Sequence, residues 1–88
     1  YSESDRSQYV GDAVRFDTAR GLMEVEVKNR FALGDRVECV HPAGNRLLTL
    51  SRMEGKSGEP VAVAKGSGHR VWVDVPPEFE GAFIARFC

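Results

Sequence analysis

Short runs of β-forming residues, separated by glycine and proline, constrain the fold of this chain more than any other feature. In the clearest run, LMEVEVK (22–28), methionine and valine alternate with charged residues. This period of two is typical of a half-buried strand, so Glu24 and Glu26 are expected on its solvated face rather than as a catalytic pair. No window has an apolar stripe with the 3.6-residue period of a helix. The pattern predicts an all-β fold.

Five further runs are strand candidates, although Leu47-Leu48 blurs the alternation of one of them (45–53). They are QYVGDAVRF (8–16), RVECVH (36–41), NRLLTLSRM (45–53), RVWVDV (70–75) and AFIARF (82–87). Gly11 interrupts the first of them, as a glycine at a β-bulge or at a close approach of two strands would. Glycine- or proline-containing turns fall between them, and the short apolar run VAVA (61–64) is either a strand or a loop on the core. Six or so strands predict a small, six-stranded, distorted or open β-barrel, because closure removes the exposed strand edges that promote aggregation.

The length and the charge of the chain limit the functions that it can have. The chain has 88 residues, which suits one small domain. Its 12 Lys and Arg residues nearly balance 13 Asp and Glu residues, so it lacks the basic excess of a self-sufficient nucleic-acid binder. A local basic face is still possible, because the net charge does not show how the charged side chains are distributed over the surface. The polar leader YSESDRSQ predicts a linker at 1–8 that follows a preceding domain, with the barrel at 9–88.

The cysteine content and the apolar pattern indicate the compartment. Two cysteines do not make a disulfide framework, which favours an intracellular, cytoplasmic protein. No apolar stretch approaches the roughly 20 residues of a membrane span, and we expect no signal peptide. We therefore expect no membrane partner, and we expect the isolated domain to be a monomer.

Catalytic and metal motifs are scarce. GSG (66–68) is not a nucleophile elbow, which needs a Gly-x-Ser-x-Gly turn between strand and helix. Cys39 and His41 stand on one face of a strand, and His69 and Cys88 could complete four ligands, but zinc sites usually use closer cysteine pairs. We predict no metal site. Cys39 is expected to be a small buried hydrophobe, and His41 a strand-end residue that is hydrogen-bonded to nearby backbone.

The stretch KNRFALGDRVECVHPAGN (28–45) has two interpretations. As a connection between strands, it would use Phe31 to plug one end of the barrel, Gly34 at positive φ, Asn29 in left-handed geometry and Asp35 as an acceptor of backbone N–H groups. As a binding site, it would present a basic rim. The first interpretation fits the composition better, and the second is kept.

The binding interpretation extends to a second strand. Trp72 lies on the face opposite Val71 and Val73, so it either packs on the N-terminal segment or is exposed beside Arg70 as a stacking surface for a base. The candidate nucleic-acid-binding residues are Lys28, Arg30, Arg36, Arg46, Arg70 and Trp72.

Three segments carry a family resemblance. YVGDAV, GLMEVEVKNRFALGDRVECVHPAGN and VAVAKGSGHRVWVDVP resemble the C-terminal domain of the collagenase-like peptidase family U-32, especially its bacterial YegQ-type members. The resemblance runs from about Tyr9 to Phe87. A weaker similarity, in the rhythm of strands and turns, is to the β-barrel domains of translation factors.

The resemblance implies a non-catalytic role for this chain. The family is regarded as one of peptidases, and the YegQ-type members are associated with hydroxylation of the wobble uridine of tRNA, using prephenate and an iron–sulfur cluster. Catalytic groups and cluster cysteines would belong to a missing N-terminal domain, so no catalytic residue and no ligand carry over to this chain. The domain would then be an accessory one that assists substrate binding or domain assembly, and we expect the substrate that it helps to hold to be tRNA.

Two alternatives stay open. The domain could dock a protein substrate for a U-32 protease. It could also be a purely structural shield that covers the N-terminal domain with Trp72, Phe79 and Phe83.

Overall fold

The computed structural model describes residues 7–66 and 68–87. Within these ranges no helix is long and apolar enough to cross a membrane. The described chain forms nine strands and a single turn of 3-10 helix (Pro77–Phe79). The strands are β1 (Ser7–Asp17), β2 (Leu22–Val27), β3 (Phe31–Ala32), β4 (Arg36–Val40), β5 (Arg46–Thr49), β6 (Met53–Glu54), β7 (Val63–Ala64), β8 (Arg70–Val73) and β9 (Phe83–Phe87).

Seven of these strands form one sheet in the order β5-β4-β9-β1-β2-β8-β6, and β3 pairs with β7 in a separate ladder. Every pairing is antiparallel. The large sheet curls into an open half-barrel, which confirms the all-β, open-barrel prediction. The described chain has more, shorter strands than the six expected, and one predicted strand (45–53) is divided. It breaks at Ser51, whose backbone N–H turns to the carboxylate of Asp74, 3.2 Å away, instead of to a ladder partner.

The predicted linker and barrel boundary needs a correction. β1 begins at Ser7, which pairs with Phe87, so Ser7 and Gln8 belong to the sheet rather than to a linker at 1–8. Residues 1–6 lie outside the described residues, as does Cys88.

The core lies under the concave face of the sheet. Met23, Val25 and Val27 are fully buried there, as the alternation of β2 predicted. Phe31 is 1% exposed and belongs to the same buried cluster, as expected of an apolar plug. Val37 and Cys39 are also fully buried on the inward face of β4, where the sequence placed them. The inward faces of β2 and β4 thus follow directly from their apolar period.

Two glycines fulfil their predicted roles. β1 passes so close to β2 at Gly11 that a Cβ there would lie 2.6 Å from the carbonyl oxygen of Glu26. The pairing of β1 with β9 also shifts its register between Tyr9 and Gly11. Gly34 has a φ of +88° and donates its N–H to the Leu50 carbonyl over 2.8 Å. These positions require glycine because one lacks room for a side chain and the other has a left-handed backbone.

The connection after β2 is partly as expected. Asp35 accepts the N–H of Ala32 through its Oδ2 at 2.8 Å, as predicted. Asn29 is different: within the described residues, positive φ occurs only at glycines, so its predicted left-handed geometry is wrong. Its side-chain amide instead donates to the Tyr9 carbonyl over 2.6 Å, and that bond joins the connection to β1.

Candidate functional site

A cleft of about 920 Å³ opens beside the face of β2 and β8 that points away from the core. Its walls come from β1, β2, the turn that joins them, the segment 55–65 and the start of β8. The register pairs Glu24 with Trp72, and Glu26 with Arg70, so these side chains share that outer face. The cleft therefore exists because the segment between β6 and β8 crosses over this face instead of running away from it.

Glu24 lies buried beside this cleft, which corrects the expectation of a solvated glutamate. It is 5% exposed. Its Oε1 is 3.3 Å from Nη2 of Arg15, and its Oε2 is 2.5 Å from Nη1 of Arg70. A buried carboxylate needs such partners, because an unpaired charge out of water is costly. The hydrogen bond to Glu24 raises the pKa of Arg70 above its ordinary value.

Trp72 is 8% exposed, so the structure does not present it as the exposed stacking surface considered from sequence. The guanidinium carbon of Arg20 lies 4.2 Å from the centre of its ring, within the range of a cation–π contact. The indole Nε1 is buried and has no hydrogen-bond partner among the described residues. Trp72 therefore packs against the protein on the cleft side of the sheet.

Arg20 joins the β1–β2 turn to the segment after β6. It donates to the carbonyls of Gly55, at 2.7 Å, and Lys56, at 2.5 Å. Its guanidinium also lies 3.5 Å from Asp17 and 3.8 Å from Glu54. These contacts hold the guanidinium over the indole and close one end of the cleft.

The lining of the cleft is predominantly cationic. Its charged side chains are Arg15, Arg20, Lys56, Lys65 and Arg70 against Glu24 and Glu59, with His69 beside them. Arg20 and Arg70 are held by carboxylates, whereas Lys56 and Lys65 make no ion pair with any described residue. Positive charge in a concave surface attracts anions, since the low-dielectric walls focus the field.

The predicted basic rim does not form one surface. Of its five cations, only Arg70 lines the cleft. Lys28 follows β2, and its ammonium lies 3.3 Å from the carboxylate of Glu26. Arg46 stands on β5, and four strands separate β5 from the β8 strand that carries Arg70.

The remaining two cations also lie apart from the cleft. Arg30 is exposed in the connection between β2 and β3. Arg36 is exposed at the start of β4, where it pairs with Thr49. Arg46 pairs with the core-facing Cys39, so Arg36 and Arg46 occupy opposite faces of the β4–β5 pair. The predicted cations that are close together in the sequence therefore do not form one surface in the structure.

Most of the cations that line the cleft were not predicted from the sequence. Lys65 and His69 had a usable signal, because the turn KGSGHR (65–70) places both beside Arg70. Arg15 and Arg20 had none. They reach the cleft only through the register of β1 on β2 and the path of the segment 55–65, which no local pattern reports.

Cys39 and His41 behave as structural residues. Burial raises the pKa of the Cys39 thiol to about 11, so it is protonated at neutral pH. His41 accepts the N–H of Ala43 through Nδ1 at 3.0 Å, as expected for a strand-end residue. Within residues 7–66 and 68–87, no three His, Cys, Asp or Glu side chains gather as metal ligands would. These residues do not fit an iron–sulfur cluster, because the sulfur of Cys39 lies alone in an apolar core.

An exposed aromatic pair occupies a different part of the surface. Phe83 is 58% exposed on β9, and Tyr9 is 42% exposed on β1. Their rings meet edge to face with centroids 6.1 Å apart. Of the three aromatics considered as an interface with another domain, only Phe83 is exposed, since Phe79 is 7% exposed and Trp72 is buried.

Comparison with known proteins identifies the family. Residues 5–86 match the model of the peptidase family U32 C-terminal domain. The chain is 42% identical over 80 residues to tRNA hydroxylation protein P of Escherichia coli (strain K12), covering 91% of this chain and 17% of that protein. It is 42% identical over 78 residues to the protein of the same name from Haemophilus influenzae, covering 89% of this chain and 17% of that protein. The chain thus spans about a sixth of the length of these relatives.

Solved structures show the same fold. One is the C-terminal domain of a Geobacillus thermoleovorans protein assigned to the U32 peptidases, with a TM-score of 0.80, 22% identity and coverage of 92% of this chain and 93% of that one. Its selenomethionine variant gives a TM-score of 0.77 at 23% identity, covering 88% of this chain and 96% of that one. With the family model and these relatives in agreement, the chain belongs to the peptidase family U32 C-terminal domains.

Proposed function

We propose that this chain is a non-catalytic accessory domain that helps to hold tRNA for a cytoplasmic parent acting in tRNA hydroxylation, at the wobble uridine. Two relatives that share 42% identity with the chain are named tRNA hydroxylation protein P. The domain would work beside an N-terminal domain that carries the catalytic groups and the iron–sulfur cluster.

The single observation that carries this proposal is the cationic lining of the cleft. Lys56 and Lys65 are exposed there, and neither forms an ion pair with a described residue. Lysine and arginine contacts to phosphate supply most of the sequence-independent affinity of proteins for nucleic acid. A cleft with spare cations supports contact with an RNA backbone better than contact with an apolar or cationic ligand.

An accessory role fits the chemistry of the described residues. The cleft carboxylate Glu24 is engaged by two arginines, and the Cys39 thiol is buried and protonated. A general acid or base must reach the substrate with a tuned pKa, and a nucleophile must be exposed. The domain would therefore contribute affinity and orientation to a reaction carried out elsewhere in the parent.

A salt titration of tRNA binding by the 88-residue chain tests the proposal. If about three phosphates are contacted, the plot of log affinity against log salt should fall with a slope near −2 to −3. Affinity that stays flat as salt rises, or no binding at about 100 μM protein in low salt, would contradict it. In the parent, removal of the domain should raise KM for tRNA more than it lowers kcat.

A second candidate role is structural, and the exposed aromatic pair of Phe83 and Tyr9 favours it. Here the outer face of β1 and β9 would cover an apolar surface of the N-terminal domain. In the parent, Phe83→Ser should then lower the melting temperature while leaving tRNA affinity unchanged. An unchanged melting temperature would remove this role.

A further inference from the structure

Glu24 is the unusual residue of the cleft. It is a nearly buried carboxylate beside a surface that otherwise concentrates positive charge. Its charge opposes the attraction of an anionic ligand, yet it contacts two arginines on neighbouring strands, Arg15 of β1 and Arg70 of β8. Its effect on ligand binding is therefore the sum of an electrostatic penalty and a gain from positioning, and the two have opposite signs.

The contacts leave both guanidinium groups with donors to spare. Arg15 approaches Oε1 of Glu24 through Nη2, and Arg70 approaches Oε2 through Nη1. The side chain of Arg15 is 69% exposed and that of Arg70 is 48% exposed. An arginine has five N–H donors in a rigid fork, so one bond to Glu24 orients the plane and leaves the other donors for a ligand.

We infer that Glu24 is a positioning residue that holds Arg15 and Arg70 as two arms of a receptor for one phosphate group of an RNA backbone. The inference rests on the proposed function and assigns it a particular phosphate-binding point. The guanidinium fork of an arginine matches the geometry of phosphate oxygens. Because contact with Glu24 already orders the side chains of both arginines, less conformational entropy is lost when the ligand binds. Lys56 and Lys65 then act as looser point charges around this fixed pair.

A pair of isosteric variants separates positioning from electrostatics. Glu24→Gln and Glu59→Gln each remove one negative charge from the cleft. Glu59 is a fair control, because it accepts the N–H of Ser57 at 3.1 Å and has no ion pair with a described residue, and glutamine keeps that acceptor. We expect Glu59→Gln to raise tRNA affinity up to about threefold by removing repulsion. Glu24→Gln should instead lower it by about fivefold or more, because the two forks lose their anchor.

The direction in which Glu24→Gln changes tRNA affinity decides whether the inference holds. If Glu24→Gln raises tRNA affinity as Glu59→Gln does, Glu24 does not position the arginines for the ligand and the inference is overturned. A failure of the proposed function looks different, since the unsubstituted chain would then show no salt-dependent tRNA binding at all. A polyglutamate peptide that binds the chain as tightly as tRNA does would also overturn the assignment to phosphate.

A third variant covers the case in which Glu24→Gln does not fold, judged by its thermal unfolding curve. Arg15→Lys keeps the charge and removes the fork. We expect it to lower tRNA affinity by about threefold or more, with an unchanged salt slope. Affinity equal to that of the unsubstituted chain would overturn the receptor, because a point charge would serve as well as the fork.

Discussion

Both faces of β2 and β8 contain buried side chains, but these are buried by different means. On the inner face, Met23, Val25 and Val73 are fully buried and pack in an apolar core. On the outer face, Glu24 and Trp72 are 5% and 8% exposed, and arginines from other elements contact both. Packing of apolar side chains makes the first face a determinant of stability. The second face is covered by charged groups that can also meet a ligand.

The largest expected effect lies in the core. Phe31→Ala should lower the free energy of unfolding by ~3 kcal/mol or more, because the ring is fully buried and its loss leaves a cavity. Denaturant unfolding of the chain measures this directly. A loss below about 1 kcal/mol would mean that the barrel end is not held by this plug. The expected result sharpens the contrast with the cleft, where single substitutions should cost far less.

Gly11→Ala should have the next largest effect. The new Cβ would lie 2.6 Å from the Glu26 carbonyl oxygen and 2.9 Å from Cγ1 of Val25, so β1 and β2 must separate. We expect a loss of about 2 kcal/mol, as for other overpacked sites. Gly34→Ala serves as a comparison, because it has open space and suffers only from its positive φ, at about 1 kcal/mol. Equal effects at both sites would show that β1 tolerates the separation.

Arg20→Ala tests the outer face. It removes the guanidinium from Trp72 and the bonds to two carbonyls, so we expect a loss of about 1 kcal/mol. Trp72 is the only tryptophan of the chain, so its fluorescence reports the change directly. The emission should shift to longer wavelength as the ring becomes exposed to water. Emission that stays fixed would show that other groups, not Arg20, cover the indole.

Arg30→Ala should have the smallest effect. The side chain is exposed in the connection after β2 and does not line the cleft, so the change in unfolding free energy should stay under about 0.5 kcal/mol. A substantially larger loss would make Arg30 structural. It would also show that the connection depends on a polar contact as well as on Phe31.

The inner face of the sheet could be predicted from the sequence because it obeys a local rule. The period of two in β2 predicted which of its residues are buried, and the isolated aromatic Phe31 was predicted to be an apolar plug. Gly11 and Gly34 were recognised for the same reason: their backbone requirements are local. Each of these inferences needed only neighbouring residues along the chain.

The outer face could not be predicted because it depends on residues far apart in sequence. The alternation that correctly predicted the burial of Val25 also predicted that Glu24 would be solvated. In the structure Arg70, 46 positions away, forms an ion pair with Glu24 and helps to bury it. Trp72 is covered by Arg20, which the chain brings there through a turn. The predicted basic residues are dispersed for a related reason: in the sheet, four strands lie between the strand that carries Arg46 and the strand that carries Arg70.

The most direct test of the central claim, that the cleft and not the dispersed basic residues contacts RNA, compares two charge-matched variants. One combines Lys56→Ala with Lys65→Ala inside the cleft, and the other combines Arg30→Ala with Arg36→Ala outside it. Each loses two positive charges, so any effect of net charge is equal. The measurement is the salt dependence of tRNA binding by the 88-residue chain. We expect the cleft variant to bind more weakly, with a salt slope smaller by about 1.5, and the other to keep its slope to within about 0.5. The reverse pattern would contradict the claim, and so would equal losses in both variants.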